Sequence, residues 1–365
     1  MYKKIFASFI SVVALIAIII GLGGFQISDA QASAPEAAQN TSGIRTSIQD
    51  KVRVAASRPW TVEEMKAAKP YPMMEMEATA ETVLGADLSL ELAGPAVFAP
   101  GARPGGKAVK AAAEEEELAG METLAYPLSY PAPFTRQNIS SFSNVTNYPF
   151  SAIGKLFFNQ GGYSYVCSAS VQGASGIVTA GHCVHAGNNK SSGWSYNVVF
   201  VPAYNNGSAP FGQWTVDALS TRTPWYKSEE IRADWGAGRV VRNAYGYGVG
   251  NYTGWLGYAY GGSRVKSWWE VGYPAASPFT GQVMVACQAS YAYDSPFGAA
   301  SYPAAMGTGC DMTGGCSGGP WIWKFGTSNY LNGVNSHRRV GYKNEMFSPF
   351  ADKAAGSLFK WARSW

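Results

Sequence analysis

Histidine is scarce in this sequence. Its 365 residues include three histidines, His182, His185 and His337. Because imidazole is the side chain that titrates near neutral pH, a histidine base must be one of these three. Cysteine is also infrequent: five are present, and no two have Cys-x-x-Cys spacing. So few ligands at these spacings argue against a metal site, and we expect none.

Long runs of basic residues are absent as well. Charged residues make up 14% of the chain, and no basic run exceeds a pair such as Arg338-Arg339. We therefore expect no nucleic-acid partner. Residues 33–120 hold 9 basic and 13 acidic residues, whereas residues 121–365 hold 17 and 10. These opposite net charges predict that the first segment docks on the second, although ordinary solvated faces would give the same counts.

The long apolar run of the chain is N-terminal. Lys3 and Lys4 precede an apolar stretch from Ile5 to Phe25, and Ala30-Gln31-Ala32 has the Ala-x-Ala pattern of a cleavage site. This arrangement predicts a signal peptide over residues 1–32, membrane contact only during export, and a secreted, extracellular protein. An uncleaved anchor is the alternative, since the run approaches the length of a membrane span.

Residues 33–135 have few of the side chains that build a core. They contain one tryptophan, Trp60, and no cysteine. We interpret them as a pro-segment and linker that acts on its own chain, with a disordered tether as the alternative. Thr61 and Glu64 have the spacing of a capping box and predict a short helix up to Ala67. Arg136 is the candidate processing site.

Residues 136–365 are predicted to form one all-β domain. Short apolar or alternating runs are separated by glycine and asparagine turns, which favours a sandwich or barrel. The clearest helical pattern closes the chain, from Ala351 to Trp361. The predicted strands are Ala152 to Phe158, Ser170 to Thr179, Asn197 to Pro202, Gln213 to Asp217, Trp255 to Tyr260 and Gln282 to Ala286.

One stretch has the chemistry of a nucleophile. Residues 310–320 place four glycines around Ser317, and glycine lets backbone N–H groups approach a reacting oxygen closely. A serine needs a base, and His182 follows the apolar residues Ile177 and Val178. Asp234 lies between them in sequence and precedes Trp235. The order His182, Asp234, Ser317 therefore favours acyl transfer by a triad.

These motifs resemble one protein family. Thr179-Ala180-Gly181-His182-Cys183, then Asp234-Trp235-Gly236, then Gly315-Cys316-Ser317-Gly318-Gly319-Pro320, are similar to the chymotrypsin/trypsin-like serine peptidases. Gly272-Tyr273-Pro274, residues 333–336 and residues 347–350 bring the chain closest to the bacterial and fungal branch that includes the glutamyl endopeptidases. The resemblance covers roughly residues 140–365.

The resemblance implies a fold and an activity. The fold is two six-stranded antiparallel β-barrels, with His182 and Asp234 on the first and Ser317 on the second. The activity is that of a monomeric serine endopeptidase, made as an inactive precursor, which hydrolyses polypeptides without a cofactor. A catalytically silent binding module on the same scaffold is the alternative.

The family's roles can be assigned residue by residue. His182 is expected to be the general base, Asp234 the acid that orients it, and Ser317 the nucleophile. The backbone N–H groups of Gly315 and Ser317 would form the oxyanion hole. The nearest rival to the acid is Asp217, which we expect to face solvent.

Two other residues near these motifs, His185 and Cys316, are not expected to take part in catalysis. His185 is expected to be an exposed loop residue. Cys316 is a conceivable nucleophile, but the register of the glycines places Ser317 at the turn. Cys316 stands where trypsin-like enzymes carry an aspartate that pairs with a new N-terminal ammonium. A thiol cannot form that ion pair, so we infer that activation does not use it.

The cysteines predict two disulfides. In the family, the pair that corresponds to Cys167 and Cys183 clamps the loop that carries the histidine. Cys287 with Cys310 is the second expected pair, which leaves Cys316 over. The competing pair, Cys310 with Cys316, would close a tight and strained loop beside the nucleophile and stays open at this point.

Specificity is the least defined part of the resemblance. Asp311 lies six residues before Ser317, where trypsin carries the carboxylate that selects arginine or lysine. Glutamyl endopeptidases use a histidine at the position that Asn335 holds here, and His337 lies two residues beyond it. Ser336 resembles the serine that supports the acid and borders the substrate backbone. Asp311, Asn335, Ser336 and His337 are the candidate substrate-binding residues, with a local turn as the alternative for Asp311.

Overall fold

The computed structural model describes residues 43–48, 58–77, 94–108 and 132–365. The predicted signal peptide lies outside these ranges. Within them, no helix is both long and apolar enough to span a membrane.

Strands dominate the described residues. The helices are α1 Val62–Ala67, α2 Phe142–Thr146, α3 Gly181–Val184, α4 Thr223–Ser228, α5 Val249–Thr253 and α6 Lys353–Arg363. The strands before the predicted domain are β1 Ile44–Ile48, β2 Lys69–Pro70, β3 Met74–Met76, β4 Val97–Ala99, β5 Ala102–Arg103 and β6 Lys107–Ala108. The next are β7 Phe134–Ile139, β8 Ile153–Gln160, β9 Tyr163–Val171, β10 Gly176–Thr179, β11 Tyr196–Pro202, β12 Trp214–Arg222, β13 Gly236–Val240 and β14 Gly257–Tyr260. The last are β15 Ser267–Gly272, β16 Met284–Ser290, β17 Tyr293–Asp294, β18 Met306–Thr308, β19 Pro320–Trp323, β20 Tyr330–Val334, β21 His337–Arg339 and β22 Met346–Ser348.

Six antiparallel strands close into a barrel. The pairing runs β8 with β9, β9 with β10, β10 with β13, β13 with β12, β12 with β11, and β11 back to β8. Closure leaves no free edge within the ring. The stretch predicted as one strand from Ser170 to Thr179 belongs to both β9 and β10, because a turn at Gly173, with φ of +108°, separates them.

Large apolar side chains pack against both faces of the barrel strands. Leu156, Phe157 and Phe200 are fully buried, and each such side chain contributes roughly 1.5–3 kcal/mol when it leaves water. Gly154 lets two strands approach closely, because a Cβ there would lie 2.6 Å from the Phe200 ring. Because consecutive residues of a strand point to opposite faces, the unbroken burial of Ile153 to Phe158 shows that β8 is covered on both faces.

The second half of the molecule consists of two sheets. One has seven strands in the order β4-β14-β20-β19-β15-β16-β7, and the other has five in the order β17-β18-β22-β21-β3. The Cys287–Cys310 disulfide joins them, and the Ser336 N–H donates to Phe347 O at 3.0 Å. The β class and the closed six-stranded barrel are confirmed, whereas the strands of the second half lie in two sheets.

The C-terminal helix is confirmed as well. It begins two residues later than predicted, because the Asp352 side chain caps it by accepting the Ala355 N–H at 2.8 Å. Its buried face includes Leu358 and Phe359, and the Phe359 ring lies 5.1 Å from the Trp235 ring. The helix therefore packs directly behind the residue that follows Asp234.

The described stretches before residue 132 pack on these sheets. β1 pairs antiparallel with β12, and β4 pairs antiparallel with β14. The predicted capping box is present in α1, with Thr61 and Glu64 each accepting the other's N–H. Trp60 anchors this helix on the barrel: it is 6% exposed, its ring lies 5.4 Å from Phe157, and its backbone exchanges two hydrogen bonds with the Gln213 amide.

Candidate active site

The Ser317 turn depends on glycine at two positions. It lies between β18 and β19, with Gly315 at φ of +96° and Gly318 at φ of +78°, a region that side chains rarely adopt. A Cβ on Gly318 would collide with the Thr179 hydroxyl. The Ser168 N–H of β9 donates to Ser317 O at 2.7 Å, so the turn of the second half is fixed to the first barrel.

His182 lies on α3, the short helix that follows β10. The neighbouring Cys183 is bonded to Cys167 of β9, and Gln160 Nε2 donates to His182 O at 3.2 Å. Cys183 Sγ is also 3.7 Å from Ser317 O. These contacts place the histidine loop next to the serine turn, and the Cys167–Cys183 prediction is confirmed.

Asp234 orients His182 through two hydrogen bonds. His182 Nδ1 lies 2.8 Å from Asp234 Oδ2, and the His182 backbone N–H donates to Oδ1 at 2.8 Å. Ser336 Oγ donates to Oδ2 at 2.7 Å. Burial alone would raise the pKa of Asp234, but the facing imidazole and these hydrogen bonds outweigh it and hold the pKa below its usual range. The carboxylate is therefore ionised and keeps the proton of the ring on Nδ1.

With the proton on Nδ1, His182 Nε2 is free to accept one. His182 is 1% exposed and Ser317 is fully buried. Neither His182 Nε2 nor Ser317 Oγ has a hydrogen-bond partner among the described residues. Both atoms are therefore free of competing polar partners among the described residues, as a nucleophile and its base require.

A backbone donor lies in the cleft, the junction between the Ser317 turn and the His182 loop where the second half meets the first barrel. The Gly315 N–H donates to Tyr71 O at 3.1 Å. The peptide before it is held by Ala275 and Ala276, whose N–H groups donate to Gly314 O at 2.8 and 3.1 Å. A fixed N–H group of this kind can stabilise an oxygen that gains negative charge.

Two solved structures resemble the chain in sequence and fold. Protease Anisep from Arthrobacter nicotinovorans is 32% identical with a TM-score of 0.56, over 63% of this chain and 100% of that protein. The thermostable serine protease AL20 from an extremophilic microorganism is 31% identical with a TM-score of 0.53, over 59% of this chain and 97% of that protein. The chain belongs to the chymotrypsin-like serine proteases.

Other comparisons are weaker. A Glu endopeptidase shares the fold, at 18% identity and a TM-score of 0.50 over 63% of this chain and 97% of that protein. The curated protein "Extracellular metalloprotease" of Bacillus subtilis (strain 168) is 28% identical over 118 residues, 32% of this chain. The match spans 35% of that relative's length. No family model matches the chain.

The word metalloprotease describes that relative, and the described residues of this protease form no group that fits a metal. Two described groups bring candidate ligands together, but both contain the two sulfurs of a disulfide, which are unavailable as thiolates. The groups are Cys167, His182 and Cys183, and Cys287, Cys310 and Asp311.

The expectation for His185 was wrong. This residue is fully buried, not exposed in a loop. Its Nε2 lies 2.9 Å from Lys190 O, its Nδ1 accepts the Gly187 N–H at 2.9 Å, and Trp225 Nε1 donates to its backbone oxygen. Burial lowers the pKa of His185, so it remains a neutral residue that holds the loop after α3.

His337 and Asn335 are engaged inside the protease. His337 is fully buried between the hydroxyls of Ser295, 3.2 Å from Nε2, and Ser336, 3.0 Å from Nδ1. Burial lowers the pKa of His337 to about 3, so the ring carries no charge at neutral pH. The Asn335 amide accepts from Trp321 Nε1 at 2.8 Å and donates to Cys316 O at 3.1 Å, which makes it a brace beneath the serine turn.

Asp311 has a cationic partner that the sequence did not reveal. It forms an ion pair with Arg136 of β7. Arg136 stands opposite Cys287 in the middle of an antiparallel pairing, so the candidate processing site lies within a strand and not in a loop. The pairing also shows that β7 belongs to the seven-stranded sheet from Phe134 onward.

The rivals of the triad have other partners. Asp217 accepts two hydrogen bonds from Arg239, at 2.7 and 2.9 Å. Cys316 is the free cysteine, as expected, and burial raises the pKa of its thiol far above the usual range. A buried, protonated thiol is a poor nucleophile. Cys310 is bonded to Cys287, so the competing pair with Cys316 does not form.

Proposed function

We propose that this chain is a secreted serine endopeptidase that cuts polypeptides through His182, Asp234 and Ser317. The observation that carries the proposal is the buried network of Ser336, Asp234 and His182, which leaves His182 Nε2 as an acceptor beside the Ser317 turn. The same residues have the order and motifs of the family to which the chain belongs.

In the first step, His182 Nε2 takes the proton of Ser317 Oγ as this oxygen attacks the carbonyl carbon of the substrate. The carbonyl oxygen becomes negatively charged and accepts hydrogen bonds from the N–H groups of Gly315 and Ser317. Each such donor is typically worth roughly 3–4 kcal/mol in the transition state. Asp234 stabilises the imidazolium without taking its proton.

In the second step, the imidazolium gives its proton to the leaving nitrogen, and the C–N bond breaks. The acyl group stays on Ser317 as an ester. Water then attacks this ester while His182 Nε2 accepts its proton, and Ser317 is released with the new carboxylic acid. Every proton taken by His182 is returned, so the reaction requires no cofactor.

The proposal also covers the oligomeric state, export, maturation and specificity of the protein. We expect a monomer that is exported through its N-terminal segment and made as an inactive precursor. The two disulfides fit an oxidising compartment, and one curated relative is named as extracellular. Because Asp311 is paired with Arg136 and His337 is neutral, we do not expect either residue to select charged side chains.

An ester burst tests the acyl-enzyme. The predicted pro-segment and linker, residues 33–135, are called the leader. After limited proteolysis of the leader, p-nitrophenyl acetate is expected to release one equivalent of nitrophenol per chain in a fast phase, followed by slow turnover. The acetyl group should remain on Ser317, as peptide mass mapping would show. A folded, processed protein that gives no burst and carries no acetyl group on Ser317 would contradict the proposed mechanism.

A further inference from the structure

A stretch from the leader occupies the cleft between the two halves. Its strand β2 pairs with β9 of the first barrel, where Lys69 faces Tyr165 and Pro70 faces Val166. Its strand β3 pairs with β21 of the second half, where Met74 faces His337 and Met76 faces Arg339. Tyr71, between the two strands, lies at the catalytic residues.

Tyr71 contacts the proposed machinery with its backbone and its ring. Its N–H donates to Val166 O at 3.0 Å, and its carbonyl oxygen accepts the Gly315 N–H at 3.1 Å. Its ring lies 5.2 Å from the His182 ring, and its hydroxyl donates to Gln160 Oε1 at 2.8 Å. The Tyr71 carbonyl thus accepts from Gly315, one of the two proposed oxyanion donors, as a scissile carbonyl would, while the ring lies against the proposed general base.

The stretch is fixed on both sides of Tyr71. Met73 is 9% exposed and belongs to the same buried cluster as Met312 and Cys316. Val340 N–H donates to Met76 O at 3.0 Å, and Glu75 forms an ion pair with Arg338. Upstream, Trp60 anchors the leader on the barrel, so the cleft segment is held at both ends.

Both pairings of this segment are parallel. The mechanism fixes the direction that a substrate must have. The acyl half stays on Ser317, and the amine half leaves on the side of His182, whose loop is bonded to β9 through Cys183 and Cys167. In the family, the serine that corresponds to Ser336 borders the substrate backbone, and Ser336 directly precedes β21. The acyl half therefore lies along β21, and a substrate runs from β21 towards β9. The leader runs from β9, at Lys69, to β21, at Met76, which is the opposite direction.

We propose that residues Lys69–Met76 are an inhibitory segment that binds the substrate cleft in reverse and therefore is not cut. This inference rests on the proposed function. In the reversed orientation, the nitrogen that would have to leave from Tyr71 belongs to Pro72, which lies towards β21 and away from the side of His182. The Tyr71 ring lies against the imidazole, so proton delivery to that nitrogen is blocked. The Tyr71 carbonyl oxygen accepts the Gly315 N–H, but the peptide bond after Tyr71 is not cleaved.

The direction is tested by making the bond after Tyr71 more reactive. Pro72 is exposed, and Pro72→Ala in the full-length chain turns a hindered tertiary amide into an ordinary peptide bond. Reverse binding predicts that the bond between residues 71 and 72 stays intact in dilute, folded chain, as mass spectrometry would show. Rapid cleavage of this bond, independent of chain concentration, would mean that the segment binds in the substrate direction and would overturn the proposal.

The inhibition is tested by removing the ring. Tyr71→Gly deletes the contact with His182 and the hydrogen bond to Gln160, and we expect p-nitrophenyl acetate to acylate the full-length variant at least about tenfold faster than the unaltered chain. Glu63→Ala, an exposed change on α1, is the matched control and should leave the acylation rate unchanged. Equal rates for Tyr71→Gly and the unaltered chain would overturn the inhibitory role.

The inhibitory role of residues 69–76 and the proposed peptidase activity can be disproved separately. If Ser317 is acylated in the unaltered full-length chain as fast as after leader removal, the inhibitory segment is disproved and the proposed function stands. If neither Tyr71→Gly nor the proteolysed chain acylates Ser317 while both remain folded, the proposed function itself is disproved.

Discussion

Replacing Ser317 by alanine in the processed protein is expected to lower kcat for peptide hydrolysis by about 10⁶-fold, the scale found when a serine protease loses its nucleophile. His182 and Asp234 would remain in place, but no oxygen would be available to form the acyl-enzyme. Residual hydrolysis would come from substrate binding and the Gly315 donor alone. Steady-state hydrolysis of a fluorogenic peptide at saturating substrate measures the effect.

The Ser317 change should leave stability almost unaltered. Its hydroxyl has no hydrogen-bond partner among the described residues, so its removal strands no buried polar group. Ser175→Ala is the matched control, because Ser175 is also buried and its hydroxyl also lacks a partner there. It precedes β10, at the opposite end of that strand from His182. A loss of activity below tenfold for Ser317→Ala would show that another group is the nucleophile.

Asp234→Asn is expected to lower kcat by about 10⁴-fold. Asparagine would present an N–H donor to His182 Nδ1, which moves the ring proton to Nε2. The nitrogen that must accept the Ser317 proton would then carry one already. The amide oxygen, in the position of Oδ1, could still accept the His182 backbone N–H, and Ser336 Oγ, which faces the other position, could accept from the amide nitrogen, so the packing around position 234 should survive.

The change of tautomer also predicts how the remaining activity of Asp234→Asn depends on pH. When His182 Nε2 cannot accept the Ser317 proton, hydroxide can, and the concentration of hydroxide rises with pH. The remaining activity of Asp234→Asn should therefore rise steadily with pH instead of levelling off near neutrality. Asp217→Asn is the control, since Asp217 pairs with Arg239 outside the triad, and kcat should stay within about twofold. Near-normal activity of Asp234→Asn at neutral pH would exclude Asp234 as the orienting acid.

Local sequence patterns predicted the parts of the molecule that local physics determines. The capping box at Thr61 and the C-terminal helix depend on residues three or four apart, so they can be identified without tertiary information. The glycines around Ser317 indicate a turn for the same reason. The closed barrel and the Cys167–Cys183 disulfide required the resemblance to a family, because their partners lie far apart in sequence.

Contacts between residues far apart in the chain could not be predicted from the sequence. The ion pair of Arg136 with Asp311 joins residues 175 positions apart, and nothing near either residue indicates the other. His185 was expected in solvent because it follows the histidine loop, but Trp194 and Tyr226 pack against its ring from later segments. The position of Tyr71 depends on pairing with β9 and β21, and polar and apolar spacing in the leader does not encode which strands it will join.

Fluorophosphonate labelling of the full-length chain, followed by peptide mass mapping, tests the central claim most directly. The reagent phosphonylates a serine only when a base activates it, and the folded chain offers many other serines as internal controls. The account predicts one label, on Ser317, that forms rapidly after the leader is removed and slowly or not at all before. A folded chain with no label on Ser317 in either form would contradict the proposal that this protein is a catalytically competent serine endopeptidase.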